Sequence, residues 1–183
     1  MAAVALIAGW LLGFSPWFGM NDGSYGLERG SRDVLWGVFA TGPAVLALIL
    51  GDGDRWQPLR SVKDQVTEML GRYLQDATAG QLLLIACFAG VGEELLFRGL
   101  LQAGLAELLP APWALVGSLI IASVLFGLCH YLSHTYFVLA TLAGLYFGLL
   151  MLLSGSVLPA MIAHALYDFV ALVYLASESH TAE

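Results

Sequence analysis

The chain has 183 residues, of which 59% are hydrophobic and 11% are charged. Because a soluble domain carries roughly 25% charged residues, this composition excludes a soluble globular protein and predicts an integral membrane protein in contact with the lipid bilayer. The formal net charge is −7, and the 7 basic residues form no patch, which excludes a nucleic-acid partner.

The apolar stretches of the sequence are long and continuous, which predicts helical spans. A helix needs about 20 apolar residues to cross a bilayer, so the chain has room for about six spans. A membrane β-barrel would instead show alternating segments of about ten residues. We therefore expect an all-α, polytopic transmembrane helix bundle of about six spans, with one amphipathic surface helix.

Two spans are expected in the N-terminal part of the chain. The first helix is predicted over residues 3–18 and the second over residues 33–50, with a bend at Gly42-Pro43 and a glycine-rich loop at 19–30. No positively charged region precedes the first apolar run, which favours a retained helix over a cleaved signal peptide.

A long polar connector occupies residues 51–78. Its apolar side chains recur at helical spacing opposite charged ones, which predicts an amphipathic helix on the membrane surface or on the bundle. The connector carries four basic residues, whereas residues 19–32 carry two. The positive-inside rule then places the connector and, with six spans, both termini in the cytoplasm. The expected location is the bacterial inner (plasma) membrane.

The chain is expected to divide into two parts. Residues 1–77 would form the two N-terminal spans and the connector, and residues 78–183 a transmembrane bundle with a catalytic site and a short polar tail. The four later spans are predicted over residues 79–109, 113–130, 135–153 and 157–176.

Few ionisable side chains interrupt these later spans, and three of them form one cluster, Glu93-Glu94-Leu-Leu-Phe-Arg98. A charged side chain near the bilayer centre costs at least ~2.5 to 3.5 kcal/mol, so such residues usually face a protein interior or a wet cavity. Together with nearby histidines, the cluster predicts an intramembrane active site. The candidate residues are Glu93, Glu94, Arg98, His130, His164 and Asp168.

The spacing within the cluster predicts different roles for its members. Glu94 and Arg98 are four residues apart with the acid on the N-terminal side, which favours an intrahelical ion pair. Glu93 lies about 100° further round the helix, so it can face a cavity and act as a general base. The alternative is that all three residues form a structural salt-bridge network at a helix end.

The histidines differ in what their positions predict. His164 and Asp168 share one face of a helix, which suits a carboxylate that fixes an imidazole tautomer. His130, at the end of a helix, is a candidate for activating water beside Glu93. Counting about 1.5 Å per residue along each span places His130 nearer the cytoplasmic side than Glu93. His134 is expected to be an interfacial residue outside the site.

Two kinds of site are compatible with these residues. A divalent metal such as zinc could be bound by Glu93, His130 and His164, since two histidines and a glutamate form a known catalytic set, although the chain lacks the His-Glu-x-x-His spacing. Alternatively, with no cofactor, Glu93 and His130 activate water while His164 and a neighbour stabilise the oxyanion. Cys87 and Cys129 are expected to be core residues and not disulfide partners.

The chain carries, in order, a Glu-Glu-x-x-x-Arg motif at 93–98, a Phe-x-x-x-His motif at 126–130 and a His-x-x-x-Asp motif at 164–168. This set resembles the CPBP family of intramembrane proteases, also called the Abi family. That family comprises prenyl-protein (CAAX) proteases and bacteriocin-processing or immunity proteins. The resemblance covers about residues 81–170.

The resemblance implies that Glu93 is the base that activates water, assisted by His130, with His164 and Asp168 opposite and the ion pair shaping the site. It leaves a metal-dependent and a glutamate-dependent mechanism open. Many members have Asn where this chain has Asp168, and an ionised carboxylate cannot donate a hydrogen bond to an oxyanion. Asp168 is then protonated, orients His164 or binds a metal, and the departure favours one of the last two roles.

We therefore predict a multi-spanning membrane endopeptidase that cleaves a peptide or protein substrate within or beside the membrane. A proton-coupled transporter or channel is the main competing function, although the sequence shows no internal repeat and no paired broken helices. A haem protein with His130 and His164 as axial ligands is also compatible with the sequence, as is a non-catalytic scaffold of the immunity type.

Overall fold

The computed structural model describes residues 1–20, 23, 25–51, 57–74 and 76–179. Among these residues every regular element is helical. The charges expected in the connector at 52–56 and the polar tail beyond residue 179 lie outside the described residues.

One long helix carries the acidic cluster, and it is built from three consecutive elements that together span Ala79–Leu108, 30 residues. The elements in chain order are α1 (Ala2–Leu12), α2 (Leu27–Gly51), α3 (Gln57–Leu74), α4 (Ala79–Glu94), the π segment (Leu95–Gln102), α5 (Ala103–Leu108), α6 (Ala114–Cys129), α7 (His134–Ser154) and α8 (Leu158–Ser179).

Four stretches of the described chain are long and apolar enough to cross a membrane, and α1 and α6 are shorter apolar helices. Large apolar side chains such as Phe39, Phe88 and Leu115 remain exposed on these helices, as expected for a surface that a bilayer covers. The expectation of an all-α transmembrane bundle of about six spans is confirmed. The four long stretches are Leu27–Leu50, Ala79–Leu108, His134–Ser154 and Leu158–Ser177.

The two cysteines lie on the outer surface of the bundle. Cys87 on α4 and Cys129 at the end of α6 are both exposed free thiols, so the expectation that they are core residues was wrong. In a membrane helix the residues that face lipid are as apolar as those that face the core. An apolar neighbourhood in the sequence therefore does not show which side of the helix a cysteine occupies.

The predicted bounds of the first helix, residues 3–18, were wrong because α1 ends at Leu12. Gly13 follows it in the left-handed region at φ 68°, a conformation that glycine adopts without steric cost. The chain then leaves the helix, and the Phe18 carbonyl accepts a hydrogen bond of 3.0 Å from the Val157 backbone N–H. The apolar residues after Gly13 therefore pack on the start of α8 and do not extend α1.

The second helix begins at Leu27, six residues before the predicted start. Polar contacts stabilise its first turns. Arg29 donates a hydrogen bond of 3.1 Å to the Gly155 carbonyl in the α7–α8 turn, and Tyr25, just before the helix, donates one of 3.1 Å to the buried Asp33. The spacing of apolar residues does not reveal such polar contacts. The predicted helix was therefore too short. The bounds of the four later spans agree with the prediction to within three residues.

The amphipathic helix predicted in the connector is present as α3. It packs on α8 and α7, where Lys63 donates a hydrogen bond of 2.9 Å to the hydroxyl of Tyr174. Apolar side chains of α3 such as Met69 and Tyr73 remain exposed, which fits a helix at a membrane surface.

Two close helix pairs position the candidate site. In the first, α4 packs on α8, where Gly90 lies against the backbone of Ala165. In the second, α6 packs on α7, where Gly144 lies against Ser123. Small residues allow such close approach of helices in membranes. The π segment connects the two pairs, because it continues α4 and also packs on α6 and α7.

Candidate active site

All six candidate residues converge at one place where the two helix pairs meet. Glu93 and Glu94 end α4, and Arg98 lies in the π segment that follows. His130 comes directly after α6, and the last two residues, His164 and Asp168, lie one turn apart on α8. His134 lies apart from this cluster; it is exposed at the start of α7, with its Nε2 3.2 Å from the Tyr131 hydroxyl oxygen.

The Glu94–Arg98 ion pair is present and completely buried. Arg98 Nη1 donates to Glu94 Oε1 over 2.9 Å, and the two side chains are 1% and 0% exposed. Arg98 Nη2 donates to the Gly144 carbonyl over 3.0 Å, and the guanidinium lies 4.6 Å from the centre of the Phe126 ring. The planar fork of arginine serves both acceptors at once, so this pair links the long helix to α7.

Glu94 also holds His164. The Nδ1 atom of His164 lies 2.7 Å from Glu94 Oε1, and because Glu94 is the counter-ion of Arg98, Nδ1 carries the hydrogen and donates it. The ring of His164 is stacked on Phe147 at 4.8 Å, and its Nε2 lies 3.4 Å from Asp168 Oδ2. His164 therefore has a carboxylate at each ring nitrogen.

The tautomer of His130 is set by the backbone. Its Nδ1 lies 2.9 Å from the Phe126 carbonyl oxygen, which can only accept, so Nδ1 donates and Nε2 of the neutral ring is an acceptor. The ring is stacked on Phe126 at 4.4 Å. The Phe-x-x-x-His spacing thus places both the stacking partner and the hydrogen-bond acceptor one helical turn before the histidine.

Glu93 lies between the two histidines, His130 and His164. Its Oε2 is buried and forms no hydrogen bond within the described residues. This oxygen lies 3.4 Å from Nε2 of His130 and 4.0 Å from Nε2 of His164. An ionised carboxylate oxygen and an acceptor nitrogen at this separation leave a position from which one water can donate a hydrogen bond to each.

The depth of His130 explains how these residues meet. Glu93 lies 14 residues after Ala79, or about 21 Å along the helix axis, whereas His130 stands at the very end of α6. Helix α6 packs on the π segment and on α5, so its end reaches only the middle of the long helix. The helices are staggered, which counting residues along each span could not show.

This stagger opens the site on one side. We use "the notch" for the space bounded by α4, by α8 and by the turn at residues 130–133. The side chains of His130 and Asp168, which border it, keep 25% and 27% of their surface exposed, while His164 behind them is 6% exposed. The cluster is therefore partly exposed on the side of the notch.

Two features of the site had no recognised signal in the sequence. The π segment begins directly after Glu94, and π-helical turns often occur at functional sites; it also directs Gln102 to the Gly148 carbonyl at 3.1 Å. Tyr136, in the first turn of α7, lies beside His130, with the two ring centres 6.4 Å apart. In the sequence, only its position six residues after His130 relates Tyr136 to the site.

The fit of a metal ion can be tested on the donor set. Among the described residues, no group of three or more His, Cys, Asp or Glu side chains is arranged to hold a metal ion. Glu93, His130 and His164, the set considered from the sequence, are therefore not arranged as a metal site.

Comparison with known proteins gives one similarity. A family model described as type II CAAX prenyl endopeptidase Rce1-like matches residues 75–170, which include all six candidate residues. No curated protein and no solved structure matches the chain.

Proposed function

The chain belongs to the family of type II CAAX prenyl endopeptidases, Rce1-like, and on that premise we propose that it is an intramembrane endopeptidase in which Glu93 activates the hydrolytic water. Its substrate is a peptide or protein segment at the membrane. The observation that carries the proposal is the pair of acceptors, Glu93 Oε2 and His130 Nε2, facing each other at 3.4 Å.

A water in the notch would donate one hydrogen bond to Glu93 and the other to His130, which leaves an oxygen lone pair free for attack. As the water oxygen bonds to the substrate carbonyl carbon, its proton moves to Glu93. The tetrahedral intermediate collapses with cleavage of the C–N bond, and Glu93 returns that proton to the leaving amine. Water and one peptide bond are converted into a carboxylic acid and an amine, and transfer of the remaining water proton from the acid to the amine gives a carboxylate and an ammonium group.

The remaining groups hold the site in shape. Arg98 and Glu94 stay buried and paired throughout, so Glu94 keeps its hydrogen bond to His164. His164 then forms a rigid wall opposite His130, and the substrate carbonyl must lie between the two rings. Such fixed positioning is a large part of enzymatic rate enhancement.

Family membership favours this function over a proton-coupled transporter, a haem protein or a scaffold. The experiment that tests it compares the peptide termini in membranes of host cells that carry the intact protein or its Glu93→Gln variant at equal levels. Termini that form only with intact Glu93 support the proposal and identify the substrate bond. An unchanged set of termini, with both proteins inserted and folded, contradicts it.

The class of substrate requires a second comparison. The family description names prenylated CAAX substrates, so a farnesylated peptide with a CAAX end is the first defined probe, and the same peptide without the farnesyl group is its control. Cleavage of the farnesylated peptide alone would assign a prenyl substrate. Cleavage of both would assign a peptide substrate without a lipid requirement.

A further inference from the structure

The hydrogen bond from His164 to Glu94 does not by itself fix the orientation of the imidazole ring. The Nδ1 atom lies 2.7 Å from Glu94 Oε1, and this contact restrains the position of one ring atom. The ring plane can still tilt about that atom, because the acceptor side of a hydrogen bond tolerates a broad range of directions. Such tilting would move Nε2, which lies 4.0 Å from Glu93 Oε2 and 3.4 Å from Asp168 Oδ2.

Phe147 supplies a restraint on the plane of this ring. The rings of Phe147 and His164 are nearly parallel, at 9° with centres 4.8 Å apart, which is a stacked contact. Phe126 meets the same imidazole edge-on, at 68° and 5.9 Å. Two flat faces in contact oppose tilting, because a tilt brings some ring atoms into collision and separates others.

Phe147 is itself held firmly in the protein core. Its side chain is 2% exposed, and it packs with Leu150 on α7 and with Ala160 and Ala163 on α8. A closely packed interior leaves such a ring little space to move. The two helices therefore build a fixed surface on which the ring of His164 rests.

We propose that Phe147 is a positioning residue of the site, which fixes the plane of the His164 ring so that Nε2 stays beside Glu93 and Asp168. This inference rests on the proposed endopeptidase function and adds a residue to it. Phe147 acts through the histidine and takes no part in the making or breaking of bonds. Its loss should slow hydrolysis because a displacement of about 1 Å within a site can lower the rate about 10²-fold.

Phe97 provides a matched comparison of the same residue type. Like Phe147 it is 2% exposed, and the ring centres of Phe97 and Phe147 lie 6.0 and 5.6 Å from Arg98 Cζ. Among the ring contacts of the described residues, Phe97 has one with Phe126 and none with His164. Substitution of either phenylalanine removes a buried ring beside Arg98, but only the loss of Phe147 removes the surface on which His164 is stacked.

The orientation of His164 can be measured without a substrate. The purified protein in detergent micelles, labelled with ¹⁵N-histidine, gives the Nδ1 and Nε2 resonances of His164, which a His164→Gln variant identifies. Phe147→Leu should broaden or double these resonances, because the ring then adopts more than one orientation. Phe97→Leu should leave them single and sharp. Phe147→Met, with a flexible side chain that fills irregular space, gives the same measurement if the Phe147→Leu variant does not fold.

The functional consequence is measured as the initial rate at which Glu93-dependent peptide termini form in host membranes at equal expression. Phe147→Leu should lower this rate about 10- to 100-fold. Phe97→Leu should keep it within about threefold of the parental rate, although both substitutions should lower the thermal unfolding temperature because each leaves a cavity.

Several outcomes would overturn the inference. They are single sharp His164 resonances in the folded Phe147 variants, an unchanged rate with Phe147→Leu, or an equal loss of rate with Phe97→Leu. If the intact protein forms no Glu93-dependent termini, the endopeptidase function itself fails, and the His164 resonances still decide whether Phe147 fixes the ring.

Discussion

The Nδ1 atom of His164 lies 2.7 Å from the Oε1 atom of Glu94, although the two residues are 70 positions apart in the chain. The same oxygen also accepts a hydrogen bond from Arg98. One buried carboxylate therefore connects α4, the π segment and α8 at the point where the chemistry is proposed to occur. Loss of any member of this trio should disturb both the others.

Removal of Arg98 should unfold the centre of the protein. Arg98→Ala would leave Glu94 as a buried, unpaired charge, and breaking a buried pair in this way costs about 3–5 kcal/mol. Arg98→Lys should restore only part of this stability, because an ammonium lacks the fork that serves Glu94 and Gly144 together.

Arg32→Ala is the comparison: it removes a side chain that is 55% exposed and 3.3 Å from the buried Asp33, but Asp33 keeps the hydrogen bond from Tyr25, so the loss of stability should be smaller. Denaturation in mixed micelles measures the difference, and equal stability of the Ala variants would contradict the argument.

Glu93→Gln should lower the hydrolytic rate about 10²- to 10⁴-fold, the usual contribution of a general base, while leaving stability nearly unchanged. The reason is that Glu93 Oε2 holds no hydrogen bond among the described residues. Glu107→Gln removes an exposed acid from the same long helix and should keep the parental rate. Full turnover by the Glu93→Gln variant would show that another group is the base.

The two histidines near the α6–α7 turn should respond differently to alanine substitution. His130→Ala removes an acceptor for the water and a ring stacked on Phe126, so the rate should fall at least about 100-fold. His134→Ala affects an exposed ring that contacts Tyr131, and the rate should fall less than about threefold, because the residue lies outside the site. A kinetic comparison at equal protein levels is sufficient, and the reverse order would exclude the proposed water site.

Gly90 should be intolerant of a methyl group, whereas Gly80 in the same helix should accept one. A Cβ at Gly90 would lie 2.7 Å from the backbone nitrogen of Ala165, but a Cβ at Gly80 would have no atom within 4 Å. Gly90→Ala should therefore separate α4 from α8, lower the Tm and slow hydrolysis. Gly80→Ala should match or slightly exceed the parental Tm, because alanine favours a helix by up to about 1 kcal/mol. Similar Tm values for both variants would refute the close contact.

Treatment with a strong chelator should leave the rate of Glu93-dependent cleavage unchanged. The proposed mechanism uses only the acceptors Glu93 and His130 and the walls of the notch. The measurement compares the purified protein before and after dialysis against the chelator, with added zinc as a further arm. A loss of activity that zinc restores would replace the glutamate-dependent mechanism with a metal-dependent one.

The sequence was sufficient for the parts of the fold that depend on hydrophobicity and spacing. The later spans and the amphipathic α3 were predicted because each shows a local pattern, and the i,i+4 spacing of Glu94 and Arg98 is a local property as well. The end of α1 was missed because a left-handed Gly13 stops the helix while apolar residues continue. Those residues contact α8, more than 130 positions later, and no local pattern reports such a contact.

The candidate site was predictable as a set of residues but not as a geometry. Sequence spacing suggested that Asp168 orients His164, whereas the structure places Glu94 at Nδ1 and Asp168 at Nε2. The stagger of α6 against the long helix, which brings His130 to Glu93, depends on packing against the π segment.

Helix α6 is shorter than the hydrocarbon layer of a typical bilayer. Its 16 residues extend about 24 Å, less than a hydrocarbon layer of roughly 30 Å, whereas the long helix has 30 residues. A short helix is accommodated when the surrounding lipid thins. In vesicles of longer acyl chains, the α6–α7 turn would be drawn deeper into hydrocarbon and water would be withdrawn from Glu93. The rate of hydrolysis should therefore depend on the acyl-chain length of the surrounding lipids.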